Sequence, residues 1–482
     1  MTRTAVVIGA GIGGLGAAIG LRRKGWQVTV LDRVPAFRPV GAGLVLQANG
    51  LRCLAALGLG AKVRERGRND MSAGTRDSAG RWLARVKASD LERMLGTPAI
   101  GIHRATLHEI LLAALPEGTV VTNAEVETVT EDGDVAWRGP NGLVRTRADL
   151  VVAADGIHSM VRRTLWPEAP APARIGVTAW RGVTPVWDDN LVVGISWDRG
   201  AEFGMVPLTD GRVYWYAAVN TSQPATPTQL VSPTQLVSPT QLVSPTQPAT
   251  PTQLVSPTQP ATPTQLVSPT QPATPTQPAT PTQPATPTQP ATPTQSAESF
   301  QPAAVEGAGD RQSPAEVVAQ AAATAAAPPA GNDEAVQVRA LFGTWHDPIP
   351  ALIAATDTVL RDELACLEEP LPTYVKGRVA LIGDAAHAMT PHLGQGANQA
   401  LEDAVVLAAV ADRPDGLAEY DRQRRPRSQR VARASRAIGR FGQQAQHPIA
   451  VAARNAILRL TPPRLALRSM ARFADWHPPS LD

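Results

Sequence analysis

The sequence predicts an α/β fold, and three observations carry that expectation. Residues 4–32 read as strand, glycine turn, helix and strand. Residues 174–220 fall into short β-branched and aromatic runs separated by turns, and a six-residue repeat from Gln223 interrupts the pattern before it resumes as helix and strand. The expected order is therefore a parallel βαβ unit, an antiparallel sheet, a long low-complexity insertion and C-terminal helices. With 482 residues and 43% hydrophobic content, the chain has material for two or three domains and a sizeable core.

The elements follow in order. "AVVIG" is an apolar, β-branched strand, "LGAAIGLRRKG" a helix and "VTVLD" the second strand. The run "TAVVIGAGIGGLGAAIGL" is not a membrane or signal segment, because its glycines are many and regular and "RRKG" closes it without a small-residue cleavage site. "ATLHEILLAAL" follows as an amphipathic helix, with Thr106 and Glu109 at capping-box spacing. Strands are expected around "EVETVTEDGDVAWRG" and "RADLVVAADG", and an antiparallel sheet from "RIGVTAWRGVTPV" to "RVYWYAAVN". After the repeat, "VRALFGTWHDPIPALIAAT" reads as helix and "RVALIGD" as a buried strand. The remainder, from "NQALEDAVVLAAV", reads as mostly helical.

Between Gln223 and Pro293 the units QLVSPT and QPATPT alternate, and an Ala- and Pro-rich tract continues to about Asn332. A six-residue period is also the step of some β-helices. Here proline recurs in every unit and would delete ladder donors, and the Leu-Val pairs are missing from half of the units. The expectation is a polyproline-like, disordered insertion.

A net charge of only +3 excludes the charge density of a nucleic-acid binder and leaves small molecules as the expected partners. The basic run "RQRRPRSQRVARASR" is expected to be the solvated face of a helix. Cys53 and Cys366 lie far apart, which argues against a disulfide framework or thiolate metal site and fits the cytoplasm. His387 and His392 straddle Pro391 at a spacing that does not put both rings on one face, so no metal is expected.

Three motifs carry chemistry. Gly9, Gly11 and Gly14 form G-x-G-x-x-G between a strand and a helix: the first permits the tight turn, the second lets backbone approach a pyrophosphate, and the third seats the helix against the strand. Asp32, at the end of the next strand, is the carboxylate expected on a ribose diol. This is a Rossmann-like dinucleotide site. The second motif, "AADGIHSMVR", places Asp155 and Gly156 at the end of an apolar strand before a helix carrying Arg162. The third is "GDAAHAMTPHLGQGANQALEDA". In it Asp384 ends a strand, where its carboxylate can accept from polyol hydroxyls. Pro391 stiffens the loop, and Gly394 and Gly396 bring backbone N–H groups against a flat, electron-rich group. The helix from about Ala397 points its positive end there.

In this order and near these spacings, the motifs resemble the class A flavoprotein monooxygenases, the single-component FAD-dependent aromatic hydroxylases such as salicylate and para-hydroxybenzoate hydroxylase. The resemblance covers most of residues 1–220 and 335–440, with "GDAAH" and "P-x-x-G-Q-G" its most specific part. It implies an FAD-binding domain of the glutathione-reductase type in residues 1–171 and 371–404, and an antiparallel substrate domain in 172–220 and 333–370. The insertion then occupies 221–332 and a helical region 405–482. Gly11, Gly14 and Asp32 hold the ADP half of FAD, with Gly9, Gly13 and Arg33 beside them. Arg104 in "IHRATL" matches the arginine that approaches the cofactor phosphates. Asp155 and Gly156 match the motif tied to FAD and NAD(P)H, Asp384 the ribityl contact, and Pro391, Gly394, Gly396, Ala397 and Asn398 the loop beside the isoalloxazine ring.

The implied reaction takes electrons from NAD(P)H and oxygen from O2, by way of a C4a-hydroperoxyflavin, to an aromatic or electron-rich substrate; a monomer or homodimer is expected. The resemblance assigns no fixed acid, base or nucleophile. Gln47, Tyr214 and Tyr216 are pocket candidates, with core packing the alternative for each. A flavin halogenase is a rival reading, but its W-x-W-x-I-P stretch is not matched by "WHDPIP". A non-catalytic scaffold in which the repeat is functional is another, against which the retained Asp384, Pro391 and glycines argue.

Overall fold

The computed structural model describes residues 2–37, 42–69, 73–187, 191, 194–221 and 333–481, which belong to one compact unit. All but the first residue of the expected insertion 221–332 lies outside the described residues, and so does the expectation of disorder placed on it.

A six-stranded sheet runs Val375–Lys376, Val379–Leu381, Leu150–Ala153, Thr4–Ile8, Gln27–Leu31 and Val120–Val121, parallel throughout except at its first pair. Its central strands are apolar without alternation because both faces are covered, and Leu150–Ala153 is buried at every position. The helix Ile12–Arg23 lies against the helix Gly396–Val410 along a seam of small residues. A Cβ on Gly13, Gly16 or Gly20 would stand 3.2, 3.2 and 2.7 Å from the Cβ atoms of Ala400, Ala404 and Ala408. This seam brings the N-terminal ends of two helices, both without side-chain caps, to the same region of the molecule.

A second sheet has seven strands, in the order Val359–Cys366, Ala173–Val186, Arg212–Asn220, Ala201–Pro207, Gly194–Asp198, Ala73–Asp77 and Trp82–Val86. The antiparallel expectation for residues 174–220 holds. The sheet is mixed, however, since Gly194–Asp198 pairs in parallel with Ala73–Asp77, a strand from within residues 1–171. One face carries Trp180, Phe203 and Trp215 against Phe342, Trp345 and Ile349 of the helical stretch after the insertion. Phe203 and Trp215 stack at 5.4 Å, and the Trp215 indole donates to Thr356 Oγ1 at 2.8 Å. The opposite face gathers Val206, Leu208, Tyr214, Val183 and Tyr216 with Ala42, Val45 and Ala99 from earlier in the chain.

Two expectations for helices need correction. The helix in "IHRATLHEILL" begins at Arg104, whose N–H donates to the Ala42 carbonyl, and no side chain caps it. Thr106 and Glu109 therefore sit inside the helix, because a sheet contact and not a capping box sets its start. The basic run lies on the helix Gly416–Phe441 with Arg422, Arg430 and Arg433 exposed on a solvated face as expected, but Arg424 is buried. Buried carboxylates on Gly396–Val410 draw Arg424 inward.

Candidate functional site

The turn after the first strand is a backbone construction. Gly9 has φ +100° and donates to the Leu31 carbonyl at 2.7 Å, and a Cβ there would lie 2.4 Å from the Ala154 carbonyl oxygen. A Cβ on Gly14 would lie 1.9 Å from the Gly9 carbonyl oxygen, whereas one on Gly11 would meet nothing within 4 Å. Gly9 and Gly14 thus make the turn and the packing, and Gly11 faces open space at the start of a helix with no acidic residue in its first turn. Asp32 accepts from the N–H groups of Ala10 at 2.7 Å and Val34 at 3.0 Å, which pins its carboxylate at the lip of the turn. His108, a residue the sequence reading passed over, contacts the Ala10 carbonyl through Nε2 at 2.8 Å. Arg33 and Arg104 are exposed nearby in sequence to these groups, and Gly13 turns its open side to Ala400.

The second and third motifs meet through Arg162. Its buried guanidinium donates to the carbonyls of Ala385 at 2.8 Å and Ile157 at 2.5 Å, bridging the two loops. Burial lowers its pKa, and Asp155 works against that shift. Asp155 caps the following helix through Oδ2, which accepts from Met160 and Val161, while its buried Oδ1 has no partner. Asp384 stands exposed between buried Gly383 and Ala385, with no hydrogen-bond partner among the described residues.

The loop from Pro391 to Gly396 is held by polar side chains more than by its proline. Gln47 donates from Nε2 to the Leu393 carbonyl at 2.8 Å and accepts at Oε1 from Gln395 at 2.7 Å. Asn398 accepts from the Gln47 N–H and donates to the carbonyls of Val45 and Gly394. Its side chain is thus committed to the loop. Gln395 accepts from Asn49 at 2.9 Å and Gln399 at 3.1 Å, and both of these also donate to Glu402. Glu402 further receives Arg424 and Arg427, and Asp403 receives Arg424 at 2.7 Å, His387 at 2.5 Å and the Gly383 N–H at 2.8 Å.

Burial alone would raise the Asp403 carboxyl, but His387 and Arg424 overcome it and hold it below the usual carboxylate range. Asp403 is thus the hydrogen-bond partner of His387 Nε2, at 2.5 Å. No cluster of three potential metal ligands occurs among the described residues. Two acids inside the apolar helix "NQALEDAVVLAAV" are the signal that could have disclosed this cluster, since buried acids require buried donors.

Tyr214 and Tyr216 lie 6.2 Å apart on the sheet face turned toward Val45 and Ala99. Burial pushes the Tyr214 phenol up to about 12 and raises Tyr216 further, so both are neutral O–H groups.

Residues 2–250 and 368–435 match the family model described as an FAD binding domain. The chain belongs to that family. It is 28% identical over 458 residues to the aurachin C monooxygenase/isomerase of Stigmatella aurantiaca, covering 91% of this chain and 90% of that one. It is likewise 28% identical over 444 residues to the 3-amino-4-hydroxybenzoate 2-monooxygenase of Streptomyces cremeus, covering 90% and 86%. Its fold is similar to that of Klebsiella pneumoniae HpxO complexed with FAD and uric acid, with a TM-score of 0.70, 24% identity and coverage of 98% and 96%. The protein is a class A FAD-dependent monooxygenase. The groups present fit that cofactor: two uncapped helix N-termini, the open side of Gly11, and the unpartnered oxygens of Asp155 and Asp384.

Proposed function

We propose that this chain hydroxylates an aromatic or heteroaromatic small molecule with electrons from NAD(P)H and oxygen from O2. FAD, when bound, supplies the redox and oxygen-transfer chemistry. In this reading Gly9, Gly11, Gly14 and Asp32 hold the ADP half, with Arg33 and Arg104 toward the phosphates. Asp155 and Gly156 border the middle of the cofactor, Asp384 accepts from the ribityl hydroxyls, and the loop from Pro391 to Asn398 lies along the ring. Residues 1–171 and 371–404 form the cofactor part, apart from the strands Ala73–Asp77 and Trp82–Val86, which join 172–220 and 333–370 in the substrate part. The cytoplasm suits two buried, unbonded cysteines.

The observation that carries this reading is Asp384. A carboxylate that served only the fold would be bonded, as Asp403 is; Asp384 is exposed in a buried run beside the loop bridge made by Arg162. The sheet face with Tyr214, Tyr216, Val183 and Val206 supports an aromatic substrate, because it is apolar and carries the neutral Tyr214 phenol to orient a ring. The ring named in the Streptomyces relative is of this chemical class. The test is NAD(P)H oxidation by purified holoenzyme across a panel of phenols and heteroaromatics, with product analysis. Stimulated oxidation with a hydroxylated product is expected; peroxide alone from every stimulating ring would overturn the assignment.

A further inference from the structure

The helix Pro448–Leu460 turns its apolar stripe outward. Its inward side is polar at the centre: Arg454 is buried, donates to the Gly442 carbonyl at 2.7 Å and lies over the Trp197 ring at 5.6 Å. Its solvent side is Ile449, Ala452, Ala453, Ala456, Ile457 and Leu460, spaced i, i+3, i+4, i+7, i+8 and i+11, a pattern that ordinarily faces a core. Ile449 is 73% exposed, Ile457 54% and Leu460 81%, and Leu465 at 57% continues the patch after the turn at Thr461 and Pro462. Isolated exposed leucines are common on surfaces, but a whole helix face of this composition is not.

The second observation is charge. From Arg422 to Ala474 the sequence has 13 arginines and no lysine, aspartate or glutamate. Several of these arginines are engaged inward: Arg424 and Arg427 on Glu402, Arg454 on backbone, and Arg459 on Asp77 at 3.3 Å. Arg464, Arg468 and Arg472, at i, i+4 and i+8 of the helix Pro463–Ala474, are exposed in one row beside Leu465, without an ion pair among the described residues.

We infer that the helices Pro448–Leu460 and Pro463–Ala474 form a peripheral docking surface for an anionic lipid bilayer. The apolar stripe enters the boundary between headgroups and acyl chains, and the arginine row meets lipid phosphates. No described helix is long and apolar enough to cross a membrane, so the contact is interfacial. A second copy of the chain fits less well. A two-fold contact sets each patch against itself, arginine row included, and Asp475, just past the second helix, already faces Arg52 at 3.4 Å.

The experiment is co-sedimentation of full-length holoenzyme with phosphatidylcholine vesicles, with and without phosphatidylglycerol. Binding at least about tenfold tighter to the phosphatidylglycerol vesicles, weakened by salt, is expected. The exposed double variant Ile457→Asp/Leu460→Asp should lose at least about tenfold in vesicle affinity while its flavin content and circular dichroism stay unchanged. Arg464→Gln/Arg468→Gln should lose about fivefold per arginine on the anionic vesicles only. The inference is overturned if the wild-type chain stays in the supernatant, if the apolar double variant binds as well as wild type, or if sedimentation equilibrium shows a dimer that this variant dissociates. Binding that only the arginine variant weakens points to a polyanion instead and overturns it equally.

Discussion

Asp384 and Asp403 show how surroundings divide the work of one residue type. Asp403 is buried, accepts from Arg424, His387 and the Gly383 N–H, and has nothing left to offer a ligand. Asp384 has its oxygens free at the surface of the same strand end. Asp384→Ala should therefore weaken FAD by about 1.5 to 3 kcal/mol, roughly 10- to 150-fold in Kd, with little change in melting temperature of the flavin-free chain. Flavin fluorescence titration reads this directly, and an affinity unchanged within twofold would place the ribityl contact elsewhere. The positions of Gly9, Gly14 and Asp32 are legible in the sequence because the local backbone demands them. The structural role of Gln47 is not, because its partners Leu393 and Gln395 lie 346 and 348 positions away and only the fold brings them near. Gln47→Ala should thus disturb the loop at Pro391 before it disturbs any substrate. Expected is a changed flavin absorbance envelope even without substrate; an unaltered spectrum with altered substrate kinetics would return Gln47 to the pocket.

At the scale of elements, the helix Gly416–Phe441 is held by charge as much as by apolar contact. Arg424 is the centre of that contact, reaching Glu402 and Asp403 on Gly396–Val410 while lying 5.7 Å from the Trp476 ring. Burial would lower the arginine pKa, but the two carboxylates reverse this and raise it. Arg424→Met leaves both acids short of a donor inside the protein, which costs about 3 to 5 kcal/mol. Thermal unfolding of holo and flavin-free protein should show that loss in both; a stability within about 1 kcal/mol of wild type would mean that Arg427 and His387 suffice. Periodicity made the apolar helices and the buried strands of the first sheet legible. It could not reveal Ala73–Asp77, whose sequence "AGTRD" has no strand pattern of its own and is extended only because Gly194–Asp198 and Trp82–Val86 flank it. In the basic run only Arg424 departed from a solvated face, because the neighbouring helix carries the buried acids that answer it.

For the whole molecule, alkaline pH offers one test and the insertion another. All four tyrosines of the sequence, Tyr214, Tyr216, Tyr374 and Tyr420, have phenols raised by burial. A raised folded-state pKa leaves stability intact below the unfolded value of about 10 and removes it as pH climbs toward the folded value, by about 1.4 kcal/mol per pH unit for each such phenol. Phenolate absorbance should hence stay silent through the ordinary phenol range and then rise in one step with loss of circular dichroism; a gradual titration of native protein near pH 10 would contradict the burial. The insertion is tested by removing it. Its flanks are anchored on one strand: Asn220 pairs with Val177, and Glu334 accepts from the Trp180 indole at 2.7 Å. Three residues of strand separate those anchor points, roughly 10 Å, so the folded part already holds the two ends together. Lengthening such a connection from about fifteen residues to about a hundred and ten costs on the order of 2 kcal/mol of closure entropy, which a domain with about 5 to 15 kcal/mol of stability absorbs. Replacing residues 223–330 with a short Gly-Ser linker should accordingly preserve FAD content and turnover, with an equal or slightly higher melting temperature. Should the linker variant fold but lose its flavin or its hydroxylation, the repeat belongs to the catalytic apparatus and not to a loop beside it.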